Sequence, residues 1–221
     1  MIGDAPLERR AAWGGVGAVV CFVVSSLLGA GSHVGAHEQF DPAAVAKAYT
    51  DHHNTIRAAA FVFGVGVILL LWWFGTLWAM MRRAEGGHAR LGLVAGLGLI
   101  MAGTLNLVHL TIDSAIAWRP HELGSSIVTV AALSGAVGSA SAIGLVAFLA
   151  AVSALALRTR FLPAWIAWGG VLIAALWLVG ALAVSTFNGI GAVGAIAYLL
   201  WAVWILAISW RMRRSQPAPV A

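Results

Sequence analysis

Six stretches of this chain, roughly residues 12–31, 58–81, 91–112, 128–157, 164–186 and 189–210, are apolar for long enough to cross a bilayer. A hydrocarbon core of ~30 Å needs about 20 such residues in a helix. In lipid, every backbone polar group must find its partner inside the protein, so a span is a helix or belongs to a closed barrel. Segments of this length predict helices. Composition agrees: 61% of the 221 residues are hydrophobic and 10% are charged, against about 25% charged in soluble domains. The predicted fold is all-α, a polytopic membrane bundle of six transmembrane helices forming a single domain over residues 1–221.

The basic residues orient the bundle. Arg9 and Arg10, then Arg82, Arg83 and Arg90, then Arg158 and Arg160, then Arg211, Arg213 and Arg214 fall on alternate connections, which is ten of the thirteen basic residues. The positive-inside rule makes that side cytoplasmic, with both termini inside. The net charge of +5 is thus an orientation signal, and no nucleic-acid partner is expected. Arg9 and Arg10 ahead of an apolar run ending in Gly29-Ala30-Gly31 have the outline of a signal peptide; the run is read as a retained first helix. The single cysteine, Cys21, lies within it and is expected to be a small core residue, so no disulfide framework is present.

The one long connection, residues 32–57, is on the outer side. Asp41-Pro42 has the form of a helix start, a carboxylate N-cap followed by proline at the first helical position. A short interfacial helix is expected over 42–53, with Tyr49, His52, His53 and Ile56 on one face and Asn54 or Thr55 breaking it. Small residues recur four apart within the spans, as at Gly92 and Gly96, Ser134 and Gly138, Ala140 and Gly144, or Gly191 and Ala195. In lipid such spacing lets backbones approach closely, either within this bundle or at a homo-oligomer or partner interface. A faint internal echo pairs Ala12-Trp13-Gly14-Gly15-Val16 with Ala167-Trp168-Gly169-Gly170-Val171, and Trp78 with Arg82 and Arg83 with Trp210, Arg213 and Arg214. Duplicated hairpins would produce it, and so would a repeated tryptophan belt with arginine anchors.

Polar side chains that carry chemistry gather on the outer side. His33, His37, His52, His53 and His121 lie on outer loops, His109 lies near the outer end of helix three, and only His88 lies inside. With Glu38, Asp41, Asp51, Asp113 and Glu122 beside them, this is a donor set suited to a divalent metal, zinc or copper. His33 and His37, and likewise His109 and Asp113, are four residues apart. Helix three also carries the row Asn106, His109, Asp113. At ~1.5 Å per residue from Arg90 these lie about 24 to 34 Å along the helix, in the outer third. Asn106 would either bond across helices or join His109, His121 and Glu122 around an outward-opening polar pocket roofed by the loop.

Several activities lack their residues. Two axial imidazoles on facing spans are missing for a membrane haem. The only lysine, Lys47, is in a loop, where no retinal Schiff base would form, and no ionisable group lies near the midplane for proton pumping. Ser134, Ser139 and Ser141 evoke a serine nucleophile near His109, although Ser139 and Ser141 should lie well below the imidazole. Of the eleven tryptophans, Trp72, Trp73, Trp177, Trp201 and Trp204 lie deep, where packing or lipid contact accounts for them.

From Leu157-Arg158-Thr159-Arg160-Phe161-Leu162-Pro163-Ala164-Trp165-Ile166-Ala167-Trp168, through a glycine-rich helix to a tryptophan-rich helix ending in arginines, the chain resembles a group of six-helix actinobacterial-type membrane proteins classed as a domain of unknown function. The resemblance is strongest over residues 157–214 and implies a bacterial plasma membrane protein with no assigned activity. The two four-residue spacings also resemble the HxxxH and HxxxD ligand patterns of zinc-dependent membrane hydrolases of the alkaline ceramidase and adiponectin receptor kind. Those bundles have seven helices, with HxxxH near the C-terminal end. The leading expectation is a non-enzymatic membrane subunit or accessory protein that packs against partner membrane proteins or binds an apolar ligand, lipid or quinone. The alternatives are a metal-dependent enzyme acting on lipid at the outer leaflet, through His33, His37, His109 and Asp113 with His52 or His53 reaching over, and a transporter or pH-responsive sensor.

Overall fold

The computed structural model describes residues 5–30, 39–183 and 191–214, with side-chain surroundings described for 12–30, 39–181 and 193–214. Every regular element among the described residues is helical: α1 (Ala5–Gly29), α2 (Pro42–Asp51), α3 (His53–Ala84), α4 (Arg90–Trp118), a 3-10 turn (Pro120–Ser126), α5 (Ile127–Thr159), α6 (Ala164–Ala183) and α7 (Gly191–Arg214). All but α2 and the 3-10 turn are long and apolar enough to cross a membrane, so the chain is a six-span helical bundle. Consecutive spans pack on one another and α7 returns to α1, closing a ring. Most helices overrun the apolar stretches of the sequence, because helical hydrogen bonding continues into the interfacial layers.

Helix ends are held by local chemistry. Asp41 Oδ1 accepts the Ala43 N–H at 2.9 Å ahead of Pro42, as its sequence position implies. The break between α2 and α3 falls at His52 (φ −111°, ψ 14°), not at Asn54 or Thr55. Thr55 instead donates its hydroxyl to the His52 carbonyl at 2.9 Å, which lets the chain resume helix one residue later. At α4 no neighbouring side chain caps the first turn. Glu85 reaches forward so that its carboxylate accepts the Leu91 and Gly92 N–H groups at 3.1 and 2.9 Å, placing negative charge at the positive end of the helix.

The core has an internal recurrence deeper than the sequence echo. On α3, Leu70, Trp73, Phe74, Leu77 and Met81 are buried; on α5, Leu145, Phe148, Leu149, Val152 and Ala156; on α7, Trp201, Trp204, Ile205, Ile208 and Met212. The three sets share one spacing of threes and fours, the stripe that a helix presents to a single core. Their aromatic members meet centrally: Phe148 lies edge-on to Phe74 at 6.0 Å and to Trp204 at 5.8 Å between ring centroids. The preceding helices supply glycine where these stripes arrive. A Cβ on Gly14 would stand 2.9 Å from the Leu69 carbonyl oxygen, and one on Gly98 would stand 2.6 Å from the equivalent Gly144 oxygen and 2.8 Å from the Phe148 nitrogen. Gly96 likewise faces Phe74, and Gly138 faces His109. Three of the four small-residue pairs singled out in the sequence thus have at least one member committed to packing within this bundle.

The close-packed stripes occupy the half of the bundle nearer the arginine-bearing helix ends. Arg213 from the end of α7 stacks 4.3 Å from the ring centre of Trp13 near the start of α1, tying the ring shut at that face. On the opposite face α2 lies across the ends of α4 and α5, burying Val45 and Tyr49 with Ile56, Ile116, Ala117 and Ile127 in a second, smaller core.

Candidate functional site

Between these two cores the bundle opens into a cavity of about 550 Å³ bordered by residues of all six spans. Its floor is the first residue of each recurrent stripe: Leu70, Leu145 and Trp201. One wall is aromatic. Phe22 lies 4.9 Å from Phe63 and 5.6 Å from Trp201, and Tyr198 lies 6.0 Å from Trp201, between ring centroids. The other wall carries polar groups on α4 and α5, Asn106, His109, Ser139 and Ser141. The indole N–H groups of Trp177 and Trp201, both lining residues, have no acceptor among the described residues.

The polar row of α4 is assembled by partners from other elements. Ser134, wholly buried on α5, lies 2.8 Å from His109 Nδ1, donates to Asp113 Oδ1 at 2.7 Å and stands 3.0 Å from the His109 carbonyl oxygen. Tyr49 of α2 donates its phenol to the same Asp113 oxygen at 3.0 Å. His109 Nδ1 is 3.7 Å from Asp113 Oδ2. Burial, reinforced by the Asp113 carboxylate, holds the Tyr49 phenol well above its ordinary range. Gly138 gives the imidazole its room, since a Cβ there would stand 3.0 Å from ring atoms Cγ and Cδ2. The result is a continuous chain of contacts, His109–Ser134–Asp113–Tyr49, from the cavity to the surface helix.

Asn106 departs from the cross-helix bonding that its row suggested: its amide donates to Ala102 O of its own helix at 3.0 Å, and the residue lines the cavity. His121 and Glu122 do not line it. They lie exposed on the 3-10 turn, His121 Nε2 at 3.5 Å from the Thr50 hydroxyl and Glu122 paired with Arg119 at 3.3 Å. The break at His52 also turns His53 off the buried face of α2; it is exposed, with Nδ1 2.8 Å from Thr50 O. Lys47 and Asp51 form an exposed pair that raises the one pKa and lowers the other. His33 and His37, with Glu38, lie outside the described residues. Among the described residues no three His, Cys, Asp or Glu side chains converge in a way that would hold a metal ion. His109 and Asp113 come together, while His52, His53 and His121 form no joint site with them.

Two members of the network, Ser134 and Tyr49, were absent from the sequence-derived site. Ser134 shared a small-residue pair with Gly138 and was weighed as a nucleophile near His109, and Tyr49 sat on the helical face marked by the spacing of Tyr49, His52, His53 and Ile56. None of these signals named Asp113 as the partner. Searches of protein-family models, curated proteins and solved structures found no match to the chain.

Proposed function

We propose that this protein is a non-enzymatic membrane subunit or accessory protein that takes an apolar ligand, lipid or quinone-like, into the cavity between its spans. The observation that carries this reading is the cavity itself. At about 550 Å³ it falls within the ~300–1,000 Å³ of small-molecule sites, which are mostly apolar with a few placed polar groups. Close packing is the norm in protein interiors, and the stripes on α3, α5 and α7 achieve it one turn away. The open space above them is therefore a built feature of the arginine-poor half. Under the positive-inside rule that half is the outer leaflet of a bacterial plasma membrane, with both termini cytoplasmic. The aromatic wall favours a flat ring or an acyl chain, and Asn106 and His109 supply the polar contact.

Solvent extraction of protein purified in mild detergent, followed by mass spectrometry, tests the proposal. The expected result is one apolar compound enriched far above its share of the source membrane. Extracts that only mirror bulk lipid would contradict it.

A further inference from the structure

We infer that the cavity's ligand carries a hydroxyl group and donates it to Nε2 of His109. The inference deepens the ligand-binding reading above and rests on it. Ser134 has one hydroxyl hydrogen and three acceptors within reach. The Asp113 carboxylate, at 2.7 Å against 3.0 Å for the His109 carbonyl, takes it as the charge-assisted and shorter bond. Tyr49 spends its own hydrogen on the same carboxylate, so no donor from that side reaches the imidazole. The 2.8 Å contact between Ser134 Oγ and His109 Nδ1 is then a hydrogen bond only if Nδ1 is the donor. In a neutral imidazole that fixes the proton on Nδ1 and leaves a lone pair on Nε2.

Nε2 has no partner among the described residues, yet it is not one of the enclosed, unpaired polar atoms. With His109 lining the cavity, the free lone pair is left to whatever enters. Asn106, which also lines the cavity, spends one amide hydrogen on Ala102 and keeps its carbonyl oxygen and its other hydrogen, so it can meet a hydroxyl group in either sense. The Nε2 lone pair is the group that tells ligands apart: it is satisfied by a hydroxyl and left unpaired by a like-shaped ligand without one. The favoured occupant is an aromatic or alicyclic alcohol such as a phenol or hydroquinone, rather than the corresponding ether, ester or quinone.

The test uses the full-length protein in phosphatidylcholine nanodiscs with 2-naphthol and 2-methoxynaphthalene, a pair of like shape in which only the first is a donor. After correction for partition into empty nanodiscs, the wild type should bind the naphthol about fivefold to tenfold more tightly, the worth of one hydrogen bond. Ser134→Ala combined with Asp113→Asn, which removes both groups that hold the proton on Nδ1, should bring the ratio towards one. Independently of any ligand, nitrogen NMR of the wild type should find His109 protonated at Nδ1 and bare at Nε2. Equal binding of both probes, excluded by Gly103→Leu, would overturn the inference while leaving the cavity as a ligand site. Binding of neither probe would overturn both, and a proton found on Nε2 would overturn the inference alone.

Discussion

Tyr49, on a helix that crosses no membrane, donates its phenol to Asp113 at 3.0 Å on the span that carries His109. The bond fastens α2 over the ends of α4 and α5, beside the small core of Val45, Ile116 and Ile127. Tyr49→Phe keeps the ring and removes the bond. A hydrogen bond to a charged group is worth about 1.5–3 kcal/mol. Asp113 retains Ser134 as a donor, so the lower end applies and α2 should open about tenfold more often. Hydrogen exchange of the amides over 43–51 reads this directly, and the amides of α4 should be unchanged.

The same environment sets the pH response of the phenol. A group whose folded-state pKa is raised contributes stability that is fully present below its free value and is lost as the pH climbs through the folded one. For Tyr49 that window opens at the ordinary value of 10.0 and extends upward. The chain has two tyrosines, so Tyr198→Phe leaves Tyr49 as the sole reporter. Its phenolate absorbance should stay flat through pH 10 in the folded protein and rise near that pH once the protein is unfolded. A rise at pH 10 in the folded state would show the phenol to be neither buried nor held by Asp113.

Packing in lipid rests on close approach rather than on the hydrophobic effect, and two glycines should separate the cases. A Cβ at Gly98 would meet backbone atoms of α5 at 2.6 and 2.8 Å, which cannot yield as a flexible side chain would. Gly98→Ala should cost about 1–3 kcal/mol or more through overpacking. At Gly75 a Cβ meets nothing within 4 Å. Gly75→Ala should be neutral or stabilising by up to about 1 kcal/mol, from helix propensity alone. Thermal unfolding in one detergent ranks the two variants against the wild type.

How much of this was legible in the sequence follows from what each feature depends on. The six spans could be read because apolar length is a property of each segment alone, and the α2 start because Asp41 and Pro42 act on their own neighbours. The row Asn106, His109, Asp113 was visible as helical spacing. Its completion by Ser134 and Tyr49 was not, because that depends on the register of α5 and α2 against α4, which packing decides. The core recurrence was not legible: the sequence echo paired Trp78 with Trp210, which lie outside the buried stripes, while Trp73 of α3, Phe148 of α5 and Trp204 of α7 share a place that shows only as spacing. An outer polar pocket of Asn106, His121 and Glu122 was expected; of these Asn106 lines the cavity, while the distance of His121 and Glu122 from the span end could not reveal that the 3-10 turn holds them at the surface.

The central claim is that the space above Leu70, Leu145 and Trp201 is built to be occupied. Gly103 borders it, and a Cβ there meets only Val67, at an ordinary 3.5 Å, so Gly103→Leu can place a larger side chain in the cavity without displacing backbone. Native mass spectrometry of the wild type and this variant, released from the same mild detergent, is the most direct measurement. The account predicts one tightly held apolar adduct per chain on the wild type, absent from a Gly103→Leu protein that still unfolds cooperatively. A wild type that flies bare, or an adduct retained equally by both proteins, would contradict it.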